Sequence, residues 1–138
     1  MINILLISHG NFADGILHAA ELIIGSSDGI QTLDLQREDP IDELRNRIDS
    51  ALKILYSNSD GVLILVDLLG ASPFNQAATV NPDLFPSIEV VTGLNLPMLL
   101  EVITNRSSAN SLDELSAIAE QAGIDGIKVL NKLKASFS

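Results

Sequence analysis

The sequence predicts an α/β fold: a doubly wound, mostly parallel open sheet with helices on both faces and a short last strand. Two patterns predict it. Apolar runs rich in Ile, Val and Leu recur at residues 2–7, 62–68 and 88–92, each closed by polar or glycine residues. Between them lie stretches whose apolar residues repeat at helical spacing. Alternating strands and helices imply right-handed crossovers onto parallel strands, and strands covered on both faces read as nearly unbroken apolar runs. At 138 residues the chain is expected to form one domain over residues 1–131, with a polar C-terminal tail at residues 132–138. A chain of this size buries roughly 70% of its unfolded surface without covalent staples.

Each element has its own justification. Residues 2–7 are Ile and Leu apart from Asn3, and the run ends in Ser8, His9 and Gly10, which marks a buried strand entering a turn. Ile16, Leu17, Ala20, Ile23 and Ile24 then mark a helix that Gly25 can stop. Residues 31–35 alternate as a short, more exposed strand. Asp39 before Pro40 reads as a helix cap followed by a first-turn proline. Ile41, Leu44, Ile48, Ala51, Leu52 and Leu55 form the buried face of that helix, opposite Asp42, Arg45, Asp49 and Lys53. A third strand, apolar except for Asp67, runs into a turn of small residues, and a short helix starts near Ser72 and Pro73. Asn81, Pro82 and Pro86 bound a loop before the fourth strand, which ends at Gly93. Residues 96–103 read as a helix with Pro97 in its first turn. Ser111 with Glu114 forms a capping box for another helix, which Gly123 is expected to stop. Residues 127–130 read as the last strand.

Charge and composition exclude several classes. Eighteen acidic residues stand against eight basic ones, a formal charge of −10, so phosphate backbones and anionic lipids are repelled and nucleic-acid binding is not expected. No cysteine is present, which removes disulfides, thiolate metal sites and a cysteine nucleophile and fits a cytoplasmic protein. The N-terminal apolar run is too short for a signal peptide or a membrane span, so direct membrane insertion is not expected. With only two histidines, no metal site and no cofactor are expected. His18 falls within a helical apolar pattern and reads as a structural or surface residue.

The candidate chemistry lies at the strand ends. Burying an ionised carboxylate without a partner costs several kcal/mol, on the order-of-magnitude scale for such groups, so Asp67 calls for one. His9 after the first strand, Asp67 in the third and Thr92 after the fourth are candidates to meet beyond the carboxyl ends of a doubly wound sheet. If His9 and Asp67 pair, the carboxylate fixes the imidazole tautomer and leaves the other ring nitrogen as a nucleophile. A phosphoryl group there needs donors, and Gly70, Ala71, Ser72 and Asn75 supply amides and a hydroxyl at a helix start. Gly10, in the histidine turn, completes the candidate phosphoryl-binding set. No Lys or Arg lies in either turn, so these dipoles are expected to hold the group without a strong ionic clamp. Asn75 fits a helix surface position equally well. A left-handed backbone at Ala71 is disfavoured by its Cβ.

Three motifs together resemble the EIIA component of mannose-family sugar phosphotransferase systems (PTS). They are Ile-Ser-His-Gly ending at Gly10, Leu-Val-Asp ending at Asp67 with Ser-Pro-Phe-Asn from Ser72, and Gly-Leu-Asn-Leu-Pro-Met-Leu-Leu-Glu from Gly93 to Glu101. The resemblance covers nearly the whole chain. It implies that His9 accepts a phosphoryl group from the phosphocarrier HPr and passes it to a EIIB component, which phosphorylates sugar at a membrane permease. It implies Asp67 as the orienting partner and Ser72 with its neighbouring amides as the cradle. It further implies a homodimer, with residues 127–130 as an antiparallel strand open to exchange between subunits. The chain departs from many relatives at residues 68–71, Leu-Leu-Gly-Ala, where these carry a Gly-Gly pair before the hydroxyl residue.

The alternatives are a phosphohistidine subunit of a dihydroxyacetone kinase system and a phosphorylation-dependent regulatory binding module. Ser-Pro-Phe-Asn and Asn-Leu-Pro-Met favour the sugar system over the first. A chelatase would want a second histidine near the site, for which His18 is badly placed. Phosphohistidine mutases and phosphatases carry an arginine where Ser8 stands.

Overall fold

The computed structural model describes residues 1–136. Among them, β1 (Asn3–His9) is followed by α1 (Phe12–Ile24), β2 (Ile30–Leu35), α2 (Ile41–Tyr56), β3 (Val62–Val66) and α3 (Ser72–Ala78). Then come β4 (Ile88–Val91), α4 (Leu96–Asn105), α5 (Leu112–Asp125) and α6 (Leu130–Ser136). The strands pair in the order β2-β1-β3-β4, all in parallel. The expected doubly wound architecture is the one observed.

Strand periodicity splits the core into two layers. Ile4 and Leu6 of β1 stand in register with Leu63 and Leu65 of β3. All four face Ala13, Ile16 and Ala20 of α1, Leu99 of α4 and Leu115 of α5. Leu5, Ile7, Ile64 and Val66 face the other way, onto Leu44, Ile48 and Leu52 of α2 and Ala77 of α3. Each such Leu or Ile contributes about 1.5–3 kcal/mol by leaving water, so the β1–β3 pair is the most firmly held part of the molecule.

The chain path places the site. From β1 the chain crosses one face through α1 to β2, whereas from β3 it crosses the opposite face through α3 to β4. The adjacent carboxyl ends of β1 and β3 are therefore the switch point, where diverging crossovers leave a crevice.

Four local expectations are corrected. Residues 127–130 are not a strand in this chain: Leu130 opens α6, and Leu133 N–H already donates to the Val129 carbonyl at 3.0 Å. The segment pairs with neither open edge of the sheet, β2 or β4, and Leu130 and Leu133 instead share helical spacing. The polar tail expected from residue 132 lies within α6 as far as Ser136, and residues 137–138 lie outside the described residues. Gly123 does not stop α5, which continues to Asp125. Its role is close packing, since a Cβ there would meet Met98 Cε at 2.9 Å. Asp39 does not cap α2, whose N-cap is Pro40; its carboxylate accepts from the Gln36 N–H at 2.8 Å and shapes the β2–α2 loop instead.

Candidate functional site

His9 ends β1 and Asp67 follows β3 at the switch point. One oxygen of Asp67, Oδ2, accepts both the backbone N–H of His9 at 2.9 Å and its ring Nδ1 at 2.8 Å. A carboxylate oxygen only accepts, so Nδ1 carries a proton, and in the neutral ring Nε2 holds the lone pair. The His9 side chain is 49% exposed and that of Asp67 17%. The acid is sheltered where its charge acts strongly, and the imidazole is half exposed to solvent. Asp67 Oδ1 is buried and receives no hydrogen bond from the described residues, so the whole polar commitment of the carboxylate is to His9.

The His9 turn is itself braced. Ser8 is fully buried, and its hydroxyl accepts the N–H of Ala13 at 2.8 Å while donating to the His9 carbonyl at 3.2 Å. The side chain thus caps the start of α1 from a position ahead of the helix.

On the Asp67 side, Gly70 takes a φ of +80°, a left-handed value that a Cβ would strain. Ala71 has an ordinary extended backbone, with φ −88° and ψ 175°, and is the N-cap of α3. The turn bends at the glycine and Ala71 bears none of the strain. Asn75 N–H donates to the Ala71 carbonyl at 2.9 Å and its side-chain amide to the Gly70 carbonyl at 3.2 Å. Asn75 therefore staples the turn from within α3. Arg45 of α2 donates to the carbonyls of Gln76 and Thr79 and to the Thr79 hydroxyl at the far end of α3, a favourable place for a cation.

A groove of about 480 Å³ opens beside the ring, lined by His9, Gly10 and Ser72 and, on its far wall, by Leu35, Gln36, Arg37, Asp39 and Ile41. Of the residues the sequence nominated, His9 and Asp67 form the pair, and Gly10 and Ser72 share the groove with His9. Gly70, Ala71 and Asn75 shape the neighbouring turn and are not among its lining residues. Thr92 does not join them. It lines a separate, largely apolar groove of about 750 Å³ bordered by β4, α4 and α5. His18 is exposed on α1.

The far wall escaped the sequence reading. It comes from the parallel register, which sets His9 opposite Leu35, and Gly10 N–H donates to the Leu35 carbonyl at 2.9 Å. Residues just after β2 therefore stand beside those just after β1. Gln36 ties the two turns directly, its side-chain amide reaching Asp34 Oδ2 at 2.6 Å and Asn11 Oδ1 at 3.3 Å. Arg47 donates to the Asp34 carbonyl and carboxylate. The Gln36 hydrogen bond, and after it that of Arg47, hold Asp34 below its ordinary carboxylate value. Among the described residues, no group of three or more His, Asp or Glu is placed to hold a metal ion, and no helix is long and apolar enough to cross a membrane.

Comparison with known proteins bears on this geometry. The family model described as PTS system fructose IIA component matches residues 3–120. The PTS system mannose-specific EIIAB component of Escherichia coli K12 is 35% identical over 94% of this chain, which spans only 39% of that relative's length. The PTS system fructose-specific EIIA component of Bacillus subtilis is 28% identical over 88% of this chain and 84% of its own. The crystal structure of phosphotransferase system component EIIA from Streptococcus agalactiae superposes with a TM-score of 0.86 at 29% identity, covering 96% of this chain and 99% of that one. With the same four-stranded fold and a family match over most of its length, the chain belongs to the EIIA-man family of phosphotransferase-system IIA components.

Proposed function

We propose that this chain is a cytoplasmic phosphoryl carrier, accepting a phosphoryl group on His9 from phospho-HPr and passing it to a EIIB component that serves sugar uptake and phosphorylation at a membrane permease. The observation that carries the reading is the 2.8 Å contact of Asp67 Oδ2 with His9 Nδ1, which leaves Nε2 free on a half-exposed ring. In the forward step the donor's P–N bond breaks and its electron pair returns to the donor nitrogen. The Nε2 lone pair forms the new P–N bond. The Nδ1 proton stays in place, donated to Asp67, whose charge offsets the cation developing on the ring. The Ser72 hydroxyl and the amides of Gly10, Gly70 and Ala71 serve as donors to the phosphoryl oxygens, with Asn75 holding their turn. No metal takes part at this subunit.

Two further features support a carrier that meets protein partners. Phe12, Ile41, Leu68 and Leu69, all exposed, follow His9, border its groove or follow Asp67, a surface suited to docking another protein around the histidine. The strand order leaves β4 as a sheet edge beside the larger apolar groove, which supports a homodimer; light scattering that returns a monomer at micromolar concentration would remove that part.

The test is direct. Incubated with phosphoenolpyruvate, the general phosphotransferase enzymes and HPr, the protein is expected to acquire one acid-labile phosphate, and His9→Ala none. Label persisting in His9→Ala overturns the assignment.

A further inference from the structure

We propose that the Arg37 guanidinium contacts the phosphoryl oxygens carried on His9 and is a catalytic residue of the transfer. This rests on the phosphoryl-carrier reading above. Arg37 lines the groove shared by His9, Gly10 and Ser72, and it is the only Lys or Arg among the lining residues. The other arginines are committed to the fold: Arg45 to the end of α3, Arg47 to Asp34, and buried Arg106 to the carbonyls of Asp28 and Gly29. Arg37 makes no side-chain hydrogen bond or ion pair among the described residues.

Charge balance says what the free cation is for. The groove carries Asp39 on its wall and Asp67 against the ring, and a phosphoryl group brings a further charge of about −1.5 to −2 near neutral pH. Amides and one hydroxyl supply partial charges only, whereas a guanidinium adds a full one in a fork matched to phosphoryl oxygens. The loop that carries it is held in place before any ligand arrives. Gln36 bonds to Asn11 and Asp34, and Asp39 accepts the Gln36 N–H, so Arg37 projects from a fixed base and only its side chain needs ordering.

The transfer itself is unchanged. The donor P–N bond breaks with its electron pair going to the donor nitrogen, and His9 Nε2 forms the new bond. Arg37 donates N–H groups to the non-bridging oxygens as the phosphoryl group passes between nitrogens, and gives up no proton.

The experiment measures the rate of His9 phosphorylation in the full chain for wild type, Arg37→Gln and Arg37→Lys, with phospho-HPr and with the small donor phosphoramidate. Arg37→Gln is expected to lower kcat/KM about tenfold with both donors, equivalent to about 1.4 kcal/mol, and to shift the 31P resonance of the phosphohistidine. Arg37→Lys should recover part of the rate, because it keeps the charge and loses the fork. A rate for Arg37→Gln within twofold of wild type overturns the proposal. So does a loss seen only with phospho-HPr, which assigns Arg37 to the donor protein's surface. A wild-type chain that takes phosphate from neither donor instead overturns the phosphoryl-carrier reading itself.

Discussion

Replacing Asp67 with asparagine keeps the shape of the side chain and removes its charge, so it separates positioning from electrostatics. Oδ2 now receives two hydrogen bonds from His9, at 2.9 and 2.8 Å, and Oδ1 is buried with no donor among the described residues. If the amide oxygen of the Asp67→Asn variant takes the place of Oδ2, both contacts survive as neutral hydrogen bonds. A bond to a charged group contributes about 1.5–3 kcal/mol and a neutral one about 0.5–1.5 kcal/mol, so the imidazolium-like transition state loses about 1–2 kcal/mol. Phosphoryl transfer to His9 should then slow about 5- to 30-fold. The new NH2 group falls where Oδ1 was, as a buried donor without an acceptor, which costs stability about 1–3 kcal/mol. Rapid-quench transfer from phospho-HPr measures the first effect and thermal denaturation the second. Imidazole 15N shifts complete the assay, with the ring expected to carry its proton on Nδ1 in wild type and variant alike, which isolates the loss of charge. An unchanged rate would refute the role assigned to Asp67.

Gly70→Ala should destabilise the protein by about 1–2 kcal/mol, the cost of a left-handed residue with a Cβ, and Ala71→Gly by much less, because φ at Ala71 is −88°; denaturant titration of both variants checks the contrast. Asp34 is held below its ordinary value by Gln36 and Arg47, so the unfolded chain binds its proton first as pH falls. Its contribution is complete above the unfolded carboxylate pKa of about 3.9 and disappears as pH drops through the lower folded value. Asp34 is about a third exposed, so the effect stays on the surface-pair scale of about 0.2–1 kcal/mol. The melting temperatures of wild type and Asp34→Asn should differ near neutral pH and converge as pH falls through the lowered folded value, and a gap that widens on acidification would contradict the assignment.

The sequence made the His9–Asp67 pair legible because each member breaks an otherwise apolar run at its carboxyl end, and the alternating elements fix which strand ends gather. His9 and Asp67 needed no more than that. Residues 127–130 misled because Ile127 and Val129 favour a strand locally, while strand formation depends on an edge that local sequence does not describe. Gly123 carries the same composition signal as a helix stop, yet it answers to the proximity of Met98, a long-range fact. Arg37 was invisible for a similar reason. It lies 28 positions from His9, and only the pairing of His9 with Leu35 brings its loop alongside. Counting register from the ends of neighbouring parallel strands would have found it. Asn95 shows the reverse case: its place before Leu96-Pro97 is explained by structure alone, capping α4 through Met98 N–H and binding the Gly123 carbonyl.

A carrier that meets a donor and then an acceptor must offer each the same atom in the same direction. The single oxygen of Asp67 grips the main chain and the ring of one residue, at the mouth of the most deeply buried pair of strands. On the proposed carrier function a docking partner meets the exposed residues Phe12, Ile41 and Leu68, while the ring of His9, at the end of β1, is held by the residue that follows β3. Because Leu68 adjoins Asp67 in the chain, a partner that presses on the proposed docking surface bears, through one peptide bond, on the carboxylate that orients the proposed nucleophile.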